Sequence, residues 1–252
     1  MKLGLKNKHA LVIGASRGLG KSIALSLAEE EAKVGVIARN QAELLKLVDE
    51  MGGEAKGHWY YKIDLLPDSA PLSLVEFIQK HELLPDIVIH NLGGTLGIKN
   101  PLCNLEEWRS VWRLNFEIAA QLNQYLIPSM QQKKWGRVIN ISSIAAQLSR
   151  GALAYCSVKA ALNAYTKNLG CTVASDGVVV CAVMPGAISH PGSHWHNITQ
   201  KDPDGVNKYL QERMAIQRFA NPSEISDCVR FLCSDSASFF CGSVIPLDGG
   251  SY

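Results

Sequence analysis

The chain has 252 residues, 47% of them hydrophobic and 19% charged, with a formal net charge of +2. It has enough apolar material for a full core, and the near-neutral balance favours neither nucleic acid nor an anionic membrane as partner. The longest apolar run, Val178 to Met184, is about one-third of a membrane span. The seven cysteines contain no Cys-x-x-Cys pair and fit a reducing compartment, so a soluble cytoplasmic protein without a metal is expected.

In chain order, short apolar runs at 9–14, 33–38, 58–63, 86–91, 136–142, 178–184 and 243–246 predict strands. Amphipathic stretches at about 18–31, 41–51, 71–81, 105–131, 153–175 and 222–234 predict the helices between them. This alternation demands parallel pairing with right-handed crossovers. The expected fold class is therefore α/β, a single-domain, doubly wound parallel sheet of about seven strands with helices on both faces. Ligands of such sheets lie beyond the carboxyl ends of the strands, so the residues just after each strand are the site candidates. One long stretch, 187–220, lacks clear periodicity and reads as a substrate lid.

The first strand runs into Gly14-Ala15-Ser16-Arg17-Gly18-Leu19-Gly20. Three glycines there let the backbone turn sharply into a helix whose unpaired N–H groups face a phosphate, the Rossmann-like arrangement for a dinucleotide. The second strand ends at Arg39, where an NAD site would carry an acid. Arg39 and Arg17 suit a 2′-phosphate, which predicts NADP(H). Asp64, before Leu65, either accepts the adenine amine or caps a turn. After the fourth strand, Asn91 and Gly93 in His90-Asn91-Leu92-Gly93-Gly94 supply small residues where the backbone must pass close to the coenzyme.

Tyr155 and Lys159 lie one helical turn apart, downstream of Ser142-Ser143 and of Asn115. Bringing a phenol from about 10 to about 7 needs roughly 4 kcal/mol. A cation at about 5 Å, with an effective dielectric near 20, supplies on the order of 3 kcal/mol. Lys159 is therefore expected to acidify Tyr155, with the positive nicotinamide ring adding the rest.

Taken together, the glycine loop, Tyr155-x-x-x-Lys159, Pro185-Gly186 and the closing Leu247-Asp248-Gly249-Gly250 resemble the short-chain dehydrogenases/reductases over the whole chain. The resemblance implies Tyr155 as general acid/base and a serine holding the substrate carbonyl. It gives Lys159 the nicotinamide ribose, which Tyr155 also borders, and gives Asn115 a water that relays protons to Lys159. The family's usual spacing of thirteen residues before the tyrosine points to Ser142, whereas aligning Gly136 to Ser143 with the family strand points to Ser143, the serine expected here. Pro185, Gly186 and Ile188 would line the nicotinamide, although Ile188, Ser189 and His190 stand where relatives often place threonine.

Within the family the chain resembles the 3-oxoacyl-(acyl-carrier-protein) reductases, which implies reduction of a 3-oxoacyl thioester by NADPH. Asp176, at the end of the second long helix, is expected to repel an acidic carrier despite Lys133 and Lys134. The polar run Ser189 to Asn197 suggests instead a modified or nucleotide-linked sugar. A metal site at His190, His194 and His196 is disfavoured because Pro191-Gly192 interrupts the helix it would need. A non-catalytic NADPH-binding protein is the reading from another class. A homotetramer, or a dimer, is implied by resemblance alone.

Overall fold

A computed structural model of the chain describes residues 3–148 and 151–252. The elements run β1 (His9–Ile13), α1 (Gly18–Glu29), β2 (Lys33–Ala38), α2 (Gln41–Glu50), β3 (Trp59–Lys62), α3 (Ala70–Lys80) and β4 (Ile87–His90). They continue with α4 (Leu105–Trp112), α5 (Ile118–Lys133), β5 (Gly136–Ile141), α6 (Leu153–Val173), β6 (Val178–Pro185), α7 (His194–Lys201), α8 (Pro203–Arg213), α9 (Pro222–Leu232) and β7 (Val244–Leu247). Among the described residues no helix is long and apolar enough to cross a membrane.

The strands form one parallel sheet in the order β3-β2-β1-β4-β5-β6-β7. Alternate residues of each strand point to opposite faces. Ala10 and Val12 join α1, α2 and α9 through Ile23, Leu44 and Val229 in one apolar layer. Leu11 and Ile13 join α3 and α5 through Leu74, Leu122 and Leu126 in the other. Burial on both faces explains why the strands read as continuous apolar runs.

The chain winds outward from β1 to β3, then returns to add β4 on the other side of β1. That reversal opens a crevice at the carboxyl ends of β1 and β4, between the glycine loop and Asn91. The amino ends of β4, β5 and β6 lie at the opposite edge, and so do the loops carrying Asp86, Lys133, Lys134 and Asp176.

Two features depart from the sequence expectation. The helix predicted over 105–131 is broken by a π-helical stretch, Arg113–Glu117, with buried Asn115 at its centre. The 187–220 segment holds α7 and α8. Ser193 starts α7 by accepting the His196 N–H at 3.1 Å, and Asp202 starts α8 by accepting the Gly205 N–H at 2.9 Å, with Pro203 in the first turn. The segment closes on itself where Ile188 pairs with Ala220.

Candidate active site

The glycine loop is locked to β4. Asn91 donates from Nδ2 to the Gly14 carbonyl at 2.8 Å, and its own N–H bonds the Ile13 carbonyl at 3.1 Å. A Cβ at Gly20 would collide with that same carbonyl and lie 2.6 Å from Asn91 Nδ2, so no larger residue fits there. Gly14 and Gly18 hold φ of +82 and +56, a region open to glycine at no steric cost. The loop thus forms a cradle over the start of α1 that suits a diphosphate. Ser16 is half-buried within it, and Leu19 packs its side chain against the core, leaving only its backbone for a ligand.

Arg17 and Arg39 are both exposed and, among the described residues, neither has an acidic partner. Asn40 spends its side chain capping α2, which leaves the two guanidinium groups as the charged donors beside the loop. Asp64 is exposed and accepts the Leu66 N–H at 3.1 Å, so it does cap a turn. Leu65, like Leu19, leaves only its backbone for a coenzyme. Its side chain is buried in the core and its carbonyl accepts from Arg113, because the turn after β3 faces inward at that residue.

The chemical groups gather at the ends of β4 and β5 and the first turns of α6. Lys159 is 2% exposed, its Nζ donating to the Ile141 carbonyl at 2.8 Å and lying 5.7 Å from the centre of the Tyr155 ring. Asn115 holds the loop opposite: its Oδ1 accepts the Gly94 N–H at 3.0 Å, and its Nδ2 donates to the Gly94 and Val111 carbonyls at 2.9 and 2.8 Å. The π-helical stretch turns that amide inward, a common use of such bulges. Gly93 is squeezed between the two, since a Cβ there would stand 3.0 Å from both Asn115 Oδ1 and Lys159 Nζ.

The two serines diverge. Ser142 is 4% exposed and points its hydroxyl at the Lys159 backbone carbonyl, 3.4 Å away. Ser143 hydrogen-bonds the Tyr155 phenol and accepts the Ala145 N–H at 3.1 Å. Geometry therefore brings Ser143, not Ser142, to the tyrosine.

The electrostatics differ from expectation. Burial pushes the Tyr155 phenol up from its usual 10, with the Ser143 bond opposing. Burial also draws the Lys159 ammonium down to about 7. The lysine supplies less charge than a fully ionised cation would, because desolvation disfavours it on both groups at once. The folded pair leans toward a neutral phenol, the form that gives a proton away.

Pro185 ends β6, and the Gly186 N–H bonds the Leu247 carbonyl at 3.0 Å. Ile188 packs its side chain against the core and sits opposite Ala220, leaving only its backbone for a coenzyme, and His190 of the same segment reaches the glycine loop. A cavity of about 320 Å³ beside Gly186, lined by Met214, Ile216 and Arg218, lies off the tyrosine cluster. Sequence reasoning did not foresee the contact of His190 with Gly18, nor the backbone partners of Asn115 and Lys159 at Gly94 and Ile141, because a backbone partner leaves no mark in a side-chain pattern.

A family profile described as Enoyl-(Acyl carrier protein) reductase matches residues 14–252. A 3-oxoacyl-[acyl-carrier-protein] reductase of Pseudomonas aeruginosa is 30% identical over 251 residues, covering 99% of each chain. The chain is a short-chain dehydrogenase/reductase. An enzyme of the same description from Escherichia coli is likewise 30% identical over 99% of each chain. Among solved structures, the L-sorbose reductase of Gluconobacter frateurii in complex with NADPH and L-sorbose superposes with a TM-score of 0.90 at 28% identity, covering 99% of this chain and 98% of that one. An Agrobacterium tumefaciens 3-oxoacyl (acyl-carrier-protein) reductase with NADP bound gives 0.87 at 27%, covering 98% and 95%.

Proposed function

We propose that this short-chain dehydrogenase/reductase reduces a ketone to a secondary alcohol with NADPH, and that its substrate belongs to the 3-oxoacyl-thioester class. The observation that carries the reaction is the hydrogen-bonded Ser143–Tyr155 pair beside buried Lys159. The coenzyme is NADP(H): the glycine cradle fits a diphosphate and the unpaired Arg17 and Arg39 fit a 2′-phosphate. Bound there, NADPH supplies the hydride. The Ser143 and Tyr155 hydroxyls hold the carbonyl oxygen, and Tyr155 gives its proton to that oxygen as negative charge develops on it. Lys159 returns a proton to Tyr155 and is itself resupplied through a water that Asn115 supports. The side chain of Asn115 also keeps the Gly94 loop in place against the lysine.

The wall beside Tyr155 supports this substrate class. Ile98, Cys103, Trp108, Trp112 and Phe116 pack with it around Val111 and Val158, an apolar surface suited to an acyl chain. The 187–220 segment serves as the lid. Its polar face, with the likeness to a sorbose reductase, favours a sugar ketone as second reading. Trp195, the side chain suited to stack on a sugar, instead packs on Tyr209 and Phe219 at 4.5 and 4.9 Å.

The pairing of Asp176 weighs against the repulsion of a carrier expected from its sequence position. Lys134 neutralises it at 2.7 Å, and Lys133 pairs with Asp86 at 2.9 Å. All four lie at the edge of the sheet away from Tyr155, which supports a structural role for these pairs. The protein is expected to act in the cytoplasm as a homotetramer or dimer, with no nucleic acid or membrane partner.

Coenzyme oxidation in the presence of a 3-oxoacyl thioester and of ketoses tests the reading. Faster turnover of the thioester is expected. Turnover of ketoses alone would establish the second reading, and no turnover of any ketone would leave a coenzyme-binding protein. Within the site, Ser143→Ala is expected to lower kcat roughly 100-fold, the usual cost of one donor to a developing oxyanion. Ser142→Ala should act mainly on stability, so a larger kcat loss at 142 would reverse the assignment.

A further inference from the structure

The imidazole of His190 lies directly on the glycine loop. A Cβ built on Gly18 would collide with its Nε2 and stand 2.7 Å from Cε1 and 3.0 Å from Cδ2. Gly18 is the first residue of α1, so the ring covers the helix start, where backbone N–H groups have no partners within the helix. The rest of the residue is tied back. Nδ1 stands 3.0 Å from the Pro191 carbonyl oxygen and carries the proton of that bond, which turns Nε2 toward the loop. The His190 backbone N–H donates to Ser193 Oγ at 3.1 Å, and that same oxygen caps α7. One side chain therefore connects the first turn of the 187–220 segment to the cradle.

We infer that His190 is a coenzyme ligand carried by the lid: its Nε2 binds the coenzyme diphosphate, and through that bond coenzyme binding fixes the start of the lid and α7. The inference rests on the NADP(H) reading. In the imidazolium form both ring nitrogens are donors, one for Pro191 and one for an anionic oxygen. Nε2 beside Gly18, the first residue of α1, puts that oxygen next to a helix start, which itself favours anions. Arg17 and Arg39 serve the 2′-phosphate, whereas His190 serves a group that NADPH and NADH share.

That division makes the test specific. In binding titrations followed by coenzyme fluorescence, His190→Ala should weaken NADPH and NADH by the same factor, about tenfold, as expected for one charge-assisted hydrogen bond. The ratio between the two coenzymes should not move, and His190→Gln, which keeps a donor, should recover part of the loss. In hydrogen exchange, saturating NADPH should slow residues 187–201 of the unsubstituted protein but not of His190→Ala, while residues 14–20 stay protected in both. Equal affinity and equal lid protection in His190→Ala would overturn the role of His190 and leave the coenzyme reading intact. Failure of the unsubstituted protein to bind either coenzyme would overturn both. A thermal melt of each variant shows whether a binding loss reflects unfolding.

Discussion

Tyr155→Phe is expected to reduce ketone turnover by 10²- to 10⁴-fold, the usual range for removing a positioned general acid, while NADPH affinity changes by no more than a few-fold. Loss of the hydroxyl removes the group proposed to protonate the carbonyl oxygen, yet leaves the ring in its apolar surroundings of Val158, Trp108 and Phe116. The packing cost is therefore small and the chemical cost large. The direction of the phenol's shift sharpens the expectation. Burial keeps Tyr155 protonated through neutral pH, so reduction finds the acid already in its working form, whereas alcohol oxidation must first remove that proton. Steady-state kinetics and a coenzyme titration of the same preparation check this. A variant that retains kcat within about threefold would remove Tyr155 from the chemistry.

Arg39→Asp should invert the coenzyme preference. Arg39 follows β2 directly, is exposed and has no acidic partner among the described residues, so its charge is available to a 2′-phosphate. Losing a charge-assisted contact costs about 2–3 kcal/mol, roughly 30- to 150-fold in kcat/KM for NADPH. The new carboxylate adds repulsion toward the phosphate, and it can accept hydrogen bonds from the free 2′-hydroxyl of NADH. The NADPH preference should also weaken with added salt, since both arginines sit in solvent. The ratio of kcat/KM for the two coenzymes is the readout. An unchanged ratio would mean that Arg39 does not read the phosphate.

The strands were legible because the five inner ones, β1, β2, β4, β5 and β6, are buried along nearly their whole length and read as mainly apolar runs; every strand falls within one residue of its expected bounds. The lid helices were not. Val206 is their only buried residue, so α7 and α8 carry almost no apolar stripe, and periodicity has nothing to register where there is no core to face. Their caps were visible, Ser193 for α7 and Asp202-Pro203 for α8, and those were the signals to weigh. The π-helical stretch at Asn115 shifts the helical phase by one residue, which a search at constant period reads through. In the site, the spacing of Tyr155 and Lys159 foretold that the two groups stand together but misjudged their electrostatics. Distance along a helix reports the attraction between the two groups and omits the burial that draws Lys159 down to about 7.

His190 marks the same boundary between pattern and placement. Its sequence neighbours, Pro191-Gly192, signal only a loop. The contact with Gly18 depends on β6 delivering the segment to the carboxyl edge of the sheet, where the glycine loop also lies. Ile188, two residues earlier, faces the core instead.

Transfer of deuterium from C4-labelled NADPH to a 3-oxoacyl thioester tests the central claim most directly. The account predicts label on the new carbinol carbon with the unsubstituted protein and none above background with Tyr155→Phe over the same period. Equal labelling by both proteins, or coenzyme bound tightly with no label in any ketone offered, would contradict it.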